Sequence, residues 1–189
     1  MVDILFISGS PVKNRNNDKA VDRMVEVAEL EGFKFLDKIY VSELDPKPCI
    51  DCNRCSKSHG RCYDEITNQI NEKMTRARAI IVCSPVYFGS VSAQLKAVFD
   101  RTRPLRRYNM KLKDKIGAAA AIGGSRNGGQ ELTIQTIHAW MHIQGMIIAG
   151  DNSHFGGTLV VPFSEDDYGL HTLEETVRKV CDILKRYNN

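Results

Sequence analysis

The chain has 189 residues, of which 42% are hydrophobic and 26% are charged, a balance typical of a folded globular protein. Its formal net charge of +3 gives no reason to expect nucleic acid as a partner. No apolar run reaches the roughly 18 residues of a membrane-spanning helix, and the N-terminus lacks the features of a secretory signal. We therefore expect a cytoplasmic protein without a membrane partner, whose thiols meet a reducing environment.

Strands and helices alternate along the chain. Continuous apolar runs predict buried strands at 2–8, 79–83, 116–122 and 146–149, and an alternating pattern predicts a strand nearer a sheet edge at 33–41. Apolar residues at helical spacing predict helices at 18–31, 64–76, 92–101, 131–144 and 172–187. This order is typical of a parallel sheet with helices on both faces. We expect a single α/β domain over residues 1–189.

Four of the six cysteines form a compact run with the spacing C-x2-C-x2-C-x6-C: Cys49, Cys52, Cys55 and Cys62. The two short gaps can direct three thiolates at one metal centre. The longer gap, with Gly60 to bend it, lets the fourth thiolate reach the same centre. Structural zinc sites usually separate two C-x2-C pairs by a dozen or more residues, which this run does not do. The spacing favours an iron–sulfur cluster, with zinc or metal-free thiols as the alternatives.

Three loops are rich in glycine and small polar residues, and each follows a predicted strand at the sheet edge where ligands of parallel sheets bind. Loop 8–18 offers hydroxyls, amides and helix N-terminal N–H groups to a phosphate, without a Walker or G-x-G-x-x-G pattern. In loop 84–92, Tyr87 and Phe88 supply the flat apolar surface that a flavin ring needs. Loop 123–130 lets the backbone approach a flat ligand, and its Arg126 places charge near the flavin or a nicotinamide donor. The alternatives are an ordinary polar loop with a helix N-cap for 8–18, aromatic side chains that only cap the sheet edge for 84–92, and a flexible turn for 123–130.

Several other residues have ordinary structural interpretations. Cys83 and Cys181 fall at apolar positions, where cysteine packs as a small hydrophobe. His138 and His142 are four residues apart on one predicted helix, and we expect surface or packed histidines there because the sequence offers no third metal ligand nearby. The basic segment 101–115 contains Pro104, which predicts a loop that is either solvated or docks an acidic ferredoxin or the 2′-phosphate of NADPH.

Taken together, the three loops resemble those of the NADPH-dependent FMN reductase branch of the flavodoxin-like proteins. The matching motifs are Ser8-Gly-Ser-Pro, Ser84-Pro-Val-Tyr-Phe-Gly and Gly124-Ser-Arg-Asn-Gly-Gly-Gln-Glu. With the cysteine run, the most specific part, the whole chain resembles the iron–sulfur flavoproteins of archaea and anaerobes. The chain departs from the family pattern at Val12, where arginine is frequent, at Arg15, where a small residue is common, and at Asn17, where threonine is common.

The resemblance implies a flavodoxin-like three-layer sandwich with a five-stranded parallel sheet and an inserted cluster-binding loop at residues 46–63. It implies an FMN-dependent oxidoreductase with one FMN and one [4Fe–4S] cluster per subunit, the cluster being held by Cys49, Cys52, Cys55 and Cys62. No side chain is expected to be catalytic in its own right. The residues expected to bind FMN are Ser8, Ser10, Pro11, Arg15, Asn16, Asn17, Pro85, Val86, Tyr87, Phe88, Gly89, Gly124, Ser125, Arg126, Gly128 and Gly129.

The resemblance also implies partners. Electrons would pass from a ferredoxin-type donor through the cluster to FMN and on to a small-molecule acceptor such as oxygen or hydrogen peroxide. The subunits would form a homodimer or homotetramer in which the cluster of one subunit approaches a neighbour's flavin. Two alternatives stay open: an NAD(P)H-dependent FMN or quinone reductase whose cysteines hold zinc or nothing, and an electron carrier or redox sensor with no substrate of its own.

Overall fold

The computed structural model describes residues 2–187, in which six strands form one sheet. The strands are β1 (Val2–Ser8), β2 (Leu36–Tyr40), β3 (Ala77–Pro85), β4 (Ile116–Gly123), β5 (Ile147–Ala149) and β6 (Gly157–Val160). The α-helices are α1 (Asn16–Leu30), α2 (Glu65–Arg76), α3 (Ala93–Asp100), α4 (Arg103–Arg107), α5 (Gln130–Ile143) and α6 (Asp167–Arg186). The predicted α/β class is confirmed.

The strands pair in parallel in the order β2-β1-β3-β4-β5. The chain runs from β1 outward to β2 and then places β3 on the other side of β1, so the strand order reverses between β1 and β3. Ser8 pairs with Cys83 and Cys83 with Ala120, so the carboxyl ends of the three central strands lie side by side. A ligand crevice forms beyond the strand ends at such a reversal.

Two short strands share the sheet position beside β4. β5 pairs with residues 116–118 of β4, whereas β6 pairs with residues 120–123. The chain leaves the sheet after β5 and returns to the same edge with β6. The five-stranded parallel sheet is therefore confirmed, and β6 is an additional strand that the sequence pattern did not predict.

Helices cover both faces of the sheet. Ile4 and Phe6 of β1 point towards α1 and α6, whereas Leu5 and Ile7 point towards the opposite layer, which contains α2, α3 and α5. All four side chains are fully buried, and each such burial contributes about 1.5–3 kcal/mol. Within residues 2–187 no helix is both long and apolar enough to cross a lipid bilayer.

Two local expectations were wrong. The predicted strand at 33–41 is shortened to β2, and Phe35 is exposed although the alternating pattern placed it on the buried face. The segment around Pro104 is not a loop, because it forms the short helix α4. Pro104 lies in the first turn of that helix, where its missing N–H group has no intrahelical partner to lose.

Candidate functional site

The loop between β1 and α1 is held by Asp18 in the first turn of α1. The hydroxyl of Ser8 donates to Oδ1 of Asp18 at 2.5 Å, and the backbone N–H of Asn14 donates to Oδ2 at 2.7 Å. Ser8 is completely buried, so it lies beneath the loop rather than on its surface. Asn17 is also buried and donates from Nδ2 to Sγ of Cys83 at 3.2 Å. These contacts fix the loop against the sheet edge.

Contacts around Ser92 join the first loop to the loop that precedes α3. Ser92 caps α3 by accepting from the backbone N–H of Leu95 at 3.1 Å, and its hydroxyl donates to the carbonyl oxygen of Gly9 at 2.6 Å. A Cβ atom at Gly9 would lie 2.5 Å from Cδ2 of Leu95. Only glycine allows this close approach of the two loops.

The loop between β3 and α3 forms a tight turn. The backbone groups of Tyr87 and Ser90 exchange hydrogen bonds at 2.9 and 3.1 Å, with Phe88 and Gly89 in the left-handed region between them. The backbone N–H of Val86 donates to the carbonyl of Ile122 at 2.9 Å. Phe88 is therefore at the tip of the turn, fully exposed, while Tyr87 is about half exposed.

The loop between β4 and α5 is held by Gln130, which the sequence analysis did not identify. The side chain of Gln130 is buried, donates to the carbonyls of Ser125 at 2.8 Å and Leu159 at 3.2 Å, and accepts from the N–H of Gly128 at 2.8 Å. Arg126 turns towards α6, where it pairs with Asp166 and donates to the carbonyl of Thr158. Asp166 therefore balances the charge of Arg126.

The three loops surround one open cavity of about 450 Å³. Eight of the predicted FMN-binding residues line it: Ser10, Arg15, Asn16, Asn17, Pro85, Val86, Tyr87 and Gly124. Four further lining residues were not in the prediction: Val12, Ile122, Gly123 and Val161. Eight predicted residues lie in the same loops but outside the cavity wall: Ser8, Pro11, Phe88, Gly89, Ser125, Arg126, Gly128 and Gly129. The structure thus brings together half of the predicted set.

The wall of this cavity has two chemically different parts. Arg15 and Asn16 lie at the start of α1, and Ser10 lies in the loop before it. Helix N–H groups without intrahelical partners and a cationic side chain suit a phosphate there. The opposite part is apolar and suits a flat ring, with Val86, Tyr87, Ile122 and Val161. The volume falls within the roughly 300–1,000 Å³ of small-molecule sites. The residues present therefore fit FMN.

The cysteine segment lies at the other end of α3. Its four predicted ligands line a second, smaller cavity together with Tyr63, Arg101 and Arg103. All four cysteines are free; Cys49 and Cys52 are exposed, and Cys55 and Cys62 are half-buried. Asp51 and Asn53 on either side of Cys52 adopt φ angles of 49° and 57°. These left-handed residues turn the backbone sharply on both sides of Cys52.

Arginines from the basic segment 101–115 hold the cysteine segment. Arg101 is 5% exposed and contacts Sγ of Cys62 at 3.4 Å. Arg103 pairs with Asp51, and Arg107 donates to Oδ1 of Asn53 at 2.9 Å. Each of these three arginines thus contacts the loop that carries the cysteines.

Four thiols around one cavity fit an iron–sulfur cluster, in which each thiolate binds a different iron. Among residues 2–187, no three His, Cys, Asp or Glu side chains are grouped closely enough to hold a single metal ion. All four cysteines lie in the wall of this cavity.

Cys83, Cys181 and His138 lie outside the two cavities and have structural roles. Burial raises the pKa of the Cys83 thiol far above its ordinary value and that of Cys181 to about 12, so both pack as uncharged apolar groups, as expected. Burial, with a smaller effect from His142, lowers the pKa of His138 to about 4. His138 is therefore a packed, neutral histidine at pH 7.

Comparison with known proteins shows the family to which the chain belongs. The sequence model of the NADPH-dependent FMN reductase family matches residues 2–158 of the chain. The chain belongs to the NADPH-dependent FMN reductase family. Over 182 residues it is 50% identical to an iron–sulfur flavoprotein of Methanosarcina thermophila, a match that covers 96% of this chain and 95% of the relative.

A second iron–sulfur flavoprotein, from Methanocaldococcus jannaschii, is 42% identical over 191 residues, covering 96% of this chain and 97% of that protein. Within the FMN reductase family, the chain thus belongs with the iron–sulfur flavoproteins. The apo structure of an NADH:FMN oxidoreductase superposes with a TM-score of 0.73 at 20% identity, covering 97% of this chain and 90% of that one. The family, the flavodoxin-like fold and the FMN-dependent oxidoreductase class predicted from the sequence are confirmed.

Proposed function

We propose that this protein passes electrons from a ferredoxin-type donor through a [4Fe–4S] cluster to FMN and on to a small acceptor, with oxygen and hydrogen peroxide as the first candidates. The observation that carries the proposal is the pair of cavities at opposite ends of α3, one fitted to FMN and the other surrounded by four thiols. The names of the iron–sulfur flavoproteins among the relatives support the same two cofactors.

Each part of the FMN cavity has its own role in this proposal. The start of α1, with Arg15 and Asn16, and Ser10 of the preceding loop bind the phosphate, while Val86 and Tyr87 contact the ring. Ser8 acts indirectly, because its hydrogen bond to Asp18 shapes the phosphate loop. When bound, FMN supplies storage of two electrons with release singly or together, and the cluster supplies one-electron transfer.

We propose the same cluster ligands as the sequence pattern indicates, on one FMN-binding domain of residues 1–189 with the loop 46–63 inserted. α3 has eight residues and is about 12 Å long, so the two cavities of one chain are separated by a whole helix. Cys49 and Cys52 are exposed and can face another protein. A homodimer or homotetramer that brings this face to a neighbour's flavin would shorten the path for electrons.

The test is anaerobic reduction of the purified protein, followed through the visible absorbance of FMN. We expect a chemically reduced low-potential ferredoxin to reduce the FMN rapidly, and NADPH alone to reduce it slowly. Addition of oxygen or hydrogen peroxide should then reoxidise the protein over repeated turnovers. Rapid reduction by NADPH without ferredoxin would overturn the proposed donor.

The match to the NADPH-dependent FMN reductase model favours a second candidate, hydride transfer from NAD(P)H through FMN to free flavin or a quinone. The same experiment separates the two candidates, since the second predicts full activity with NADPH as the sole donor. Reversible reduction without turnover on any acceptor would instead support a non-catalytic electron carrier.

A further inference from the structure

Arg101 contacts both ends of the cysteine segment. It follows α3 directly and is 5% exposed, although it carries a charge. Its Nε donates to the carbonyl of Lys47, and one terminal nitrogen donates to the carbonyl of Pro48 at 3.0 Å, just before Cys49. The other terminal nitrogen, Nη1, donates to Sγ of Cys62 at 3.4 Å. One side chain therefore closes the loop that contains all four thiols.

The surroundings of this guanidinium group explain why it is fixed. Nη1 also lies 3.4 Å from Oγ1 of Thr67 and 3.6 Å from Oδ2 of Asp64, and the group lies over the ring of Tyr63 at 5.5 Å. The same oxygen of Asp64 already accepts from the backbone and the hydroxyl of Thr67. A buried charge needs compensation, and here the carboxylate is shared with two other donors. The Sγ atom of Cys62, 3.4 Å from Nη1, completes the contacts of the guanidinium group.

We infer that Arg101 is the positioning residue for the cysteine segment, and that its positive charge raises the reduction potential of the cluster that the segment holds. The inference rests on the proposed function, because it assumes that the four thiols ligate a cluster. A positive charge next to a cluster sulfur favours the state with the extra electron, and burial weakens the screening of that charge. Arg101 thus makes acceptance of an electron from the donor easier.

Arginine suits this role for a geometric reason. Its planar group carries donors in a fixed fork, so one side chain reaches two carbonyls and a sulfur in different directions. A lysine at this position keeps the charge on a single nitrogen and cannot bind both ends of the segment. Arg106 provides a contrast, because it is exposed and its Nε donates to the carbonyl of Ile143 on α5 rather than to the cysteine segment.

The test compares three variants of the full-length protein, purified anaerobically, with the wild type. Iron and sulfide per chain are measured first, then the rate of iron loss to a chelator, and finally the midpoint potential of the cluster in a dye-mediated titration. We expect Arg101→Gln to lower the potential and to lose iron several-fold faster. Arg101→Lys should lose iron faster but keep a potential near that of the wild type. Arg106→Gln should change neither quantity.

An Arg101→Gln protein with wild-type potential and iron-loss rate overturns the inference. So does an Arg101→Lys protein that loses iron no faster than the wild type. If both Arg101 variants retain FMN and helical circular dichroism but purify without iron, while Arg106→Gln is fully loaded, the positioning role is supported. A wild-type protein without iron and sulfide is a separate outcome, because it overturns the proposed function itself.

Discussion

The two ends of α3 are built in different ways. At its N-terminal end, loops from three strands meet through backbone hydrogen bonds and buried side chains, such as the contact of Ser92 with Gly9. At its C-terminal end, the segment 46–63 contains only a 3-10 turn at Arg54–Ser56 as regular structure and is bound by arginine side chains. The FMN cavity is therefore formed by the sheet and the loops that follow its strands, whereas the shape of the cysteine segment depends on a few polar contacts.

This difference has a thermodynamic consequence. The FMN cavity lies at the carboxyl ends of fully buried strands, so its shape is stabilised by the hydrophobic core whether or not a ligand binds. The cysteine segment buries little apolar surface, and binding a cluster contributes directly to its order. We therefore expect changes at one end to leave the other end nearly intact.

The largest expected effect comes from removing a cluster ligand. We expect Cys62→Ala to abolish the iron and sulfide content while FMN content stays at the wild-type level, because a cluster needs a thiolate at each iron corner. Iron, sulfide and flavin analysis of the same preparation measures both outcomes. Cys181→Ala is the matched control, since this cysteine is buried elsewhere and should leave the iron content unchanged. Full iron in Cys62→Ala would exclude Cys62 as a ligand.

Filling the FMN cavity is expected to have the next largest effect. A Cβ atom at Gly124 meets no heavy atom within 4 Å, so Gly124→Ala should bind FMN normally. Gly124→Leu extends a side chain from the cavity wall, and we expect FMN to bind at least about tenfold more weakly, which is roughly 1.4 kcal/mol. Fluorescence titration of the FMN-free protein measures the dissociation constants. Equal affinities for the two variants would mean that FMN does not bind in this cavity.

A smaller effect is expected from the residue that holds the third loop. Gln130→Ala leaves the carbonyls of Ser125 and Leu159 without their side-chain donor, at a cost of about 1–3 kcal/mol. We expect a lower unfolding temperature and several-fold weaker FMN binding, with unchanged iron content. Gln135→Ala on the exposed face of the same helix is the control. Identical behaviour of the two variants would contradict this role.

The smallest expected effect is the pH dependence from His138. Its pKa is about 4 in the folded protein and about 6.5 in an unfolded chain, so the unfolded state binds more protons between these values. The free energy of unfolding should therefore fall as the pH is lowered from about 6.5 towards 4. We expect His138→Gln to weaken this dependence when urea midpoints at pH 7 and pH 5 are compared. The same pH dependence in both proteins would contradict the buried, neutral state.

Much of the fold was predictable because β1, β3 and β4 are largely buried and form continuous apolar runs in the sequence. β6 was missed because its sequence Gly-Thr-Leu-Val contains only two consecutive large apolar residues. Helix α4 was missed because Pro104 was interpreted as a loop signal, although proline is favoured in a first helical turn. A local sequence pattern does not show which strands pair or where in a helix a proline lies.

The candidate site was predictable to the level of loops but not of every side chain. Glycine and small polar residues located the three loops that surround the FMN cavity, yet the sequence could not show that Ser8 is buried beneath one of them. Val161 follows the missed strand β6, so nothing pointed to it. Arg101 contacts residues 54 and 39 positions away in the chain. Contacts between residues so far apart in the sequence form only when the chain folds, so the sequence pattern could not reveal them.

The composition of the protein purified under anaerobic conditions tests the central claim most directly, since the claim is that each end of α3 holds its own redox group. Iron, acid-labile sulfide, zinc and flavin per chain should be measured together with the visible spectrum. We predict about four irons and four sulfides with one FMN, and flavin bands over a broad brown absorbance. Flavin accompanied by zinc or by no metal would contradict the account and leave an FMN reductase with structural cysteines.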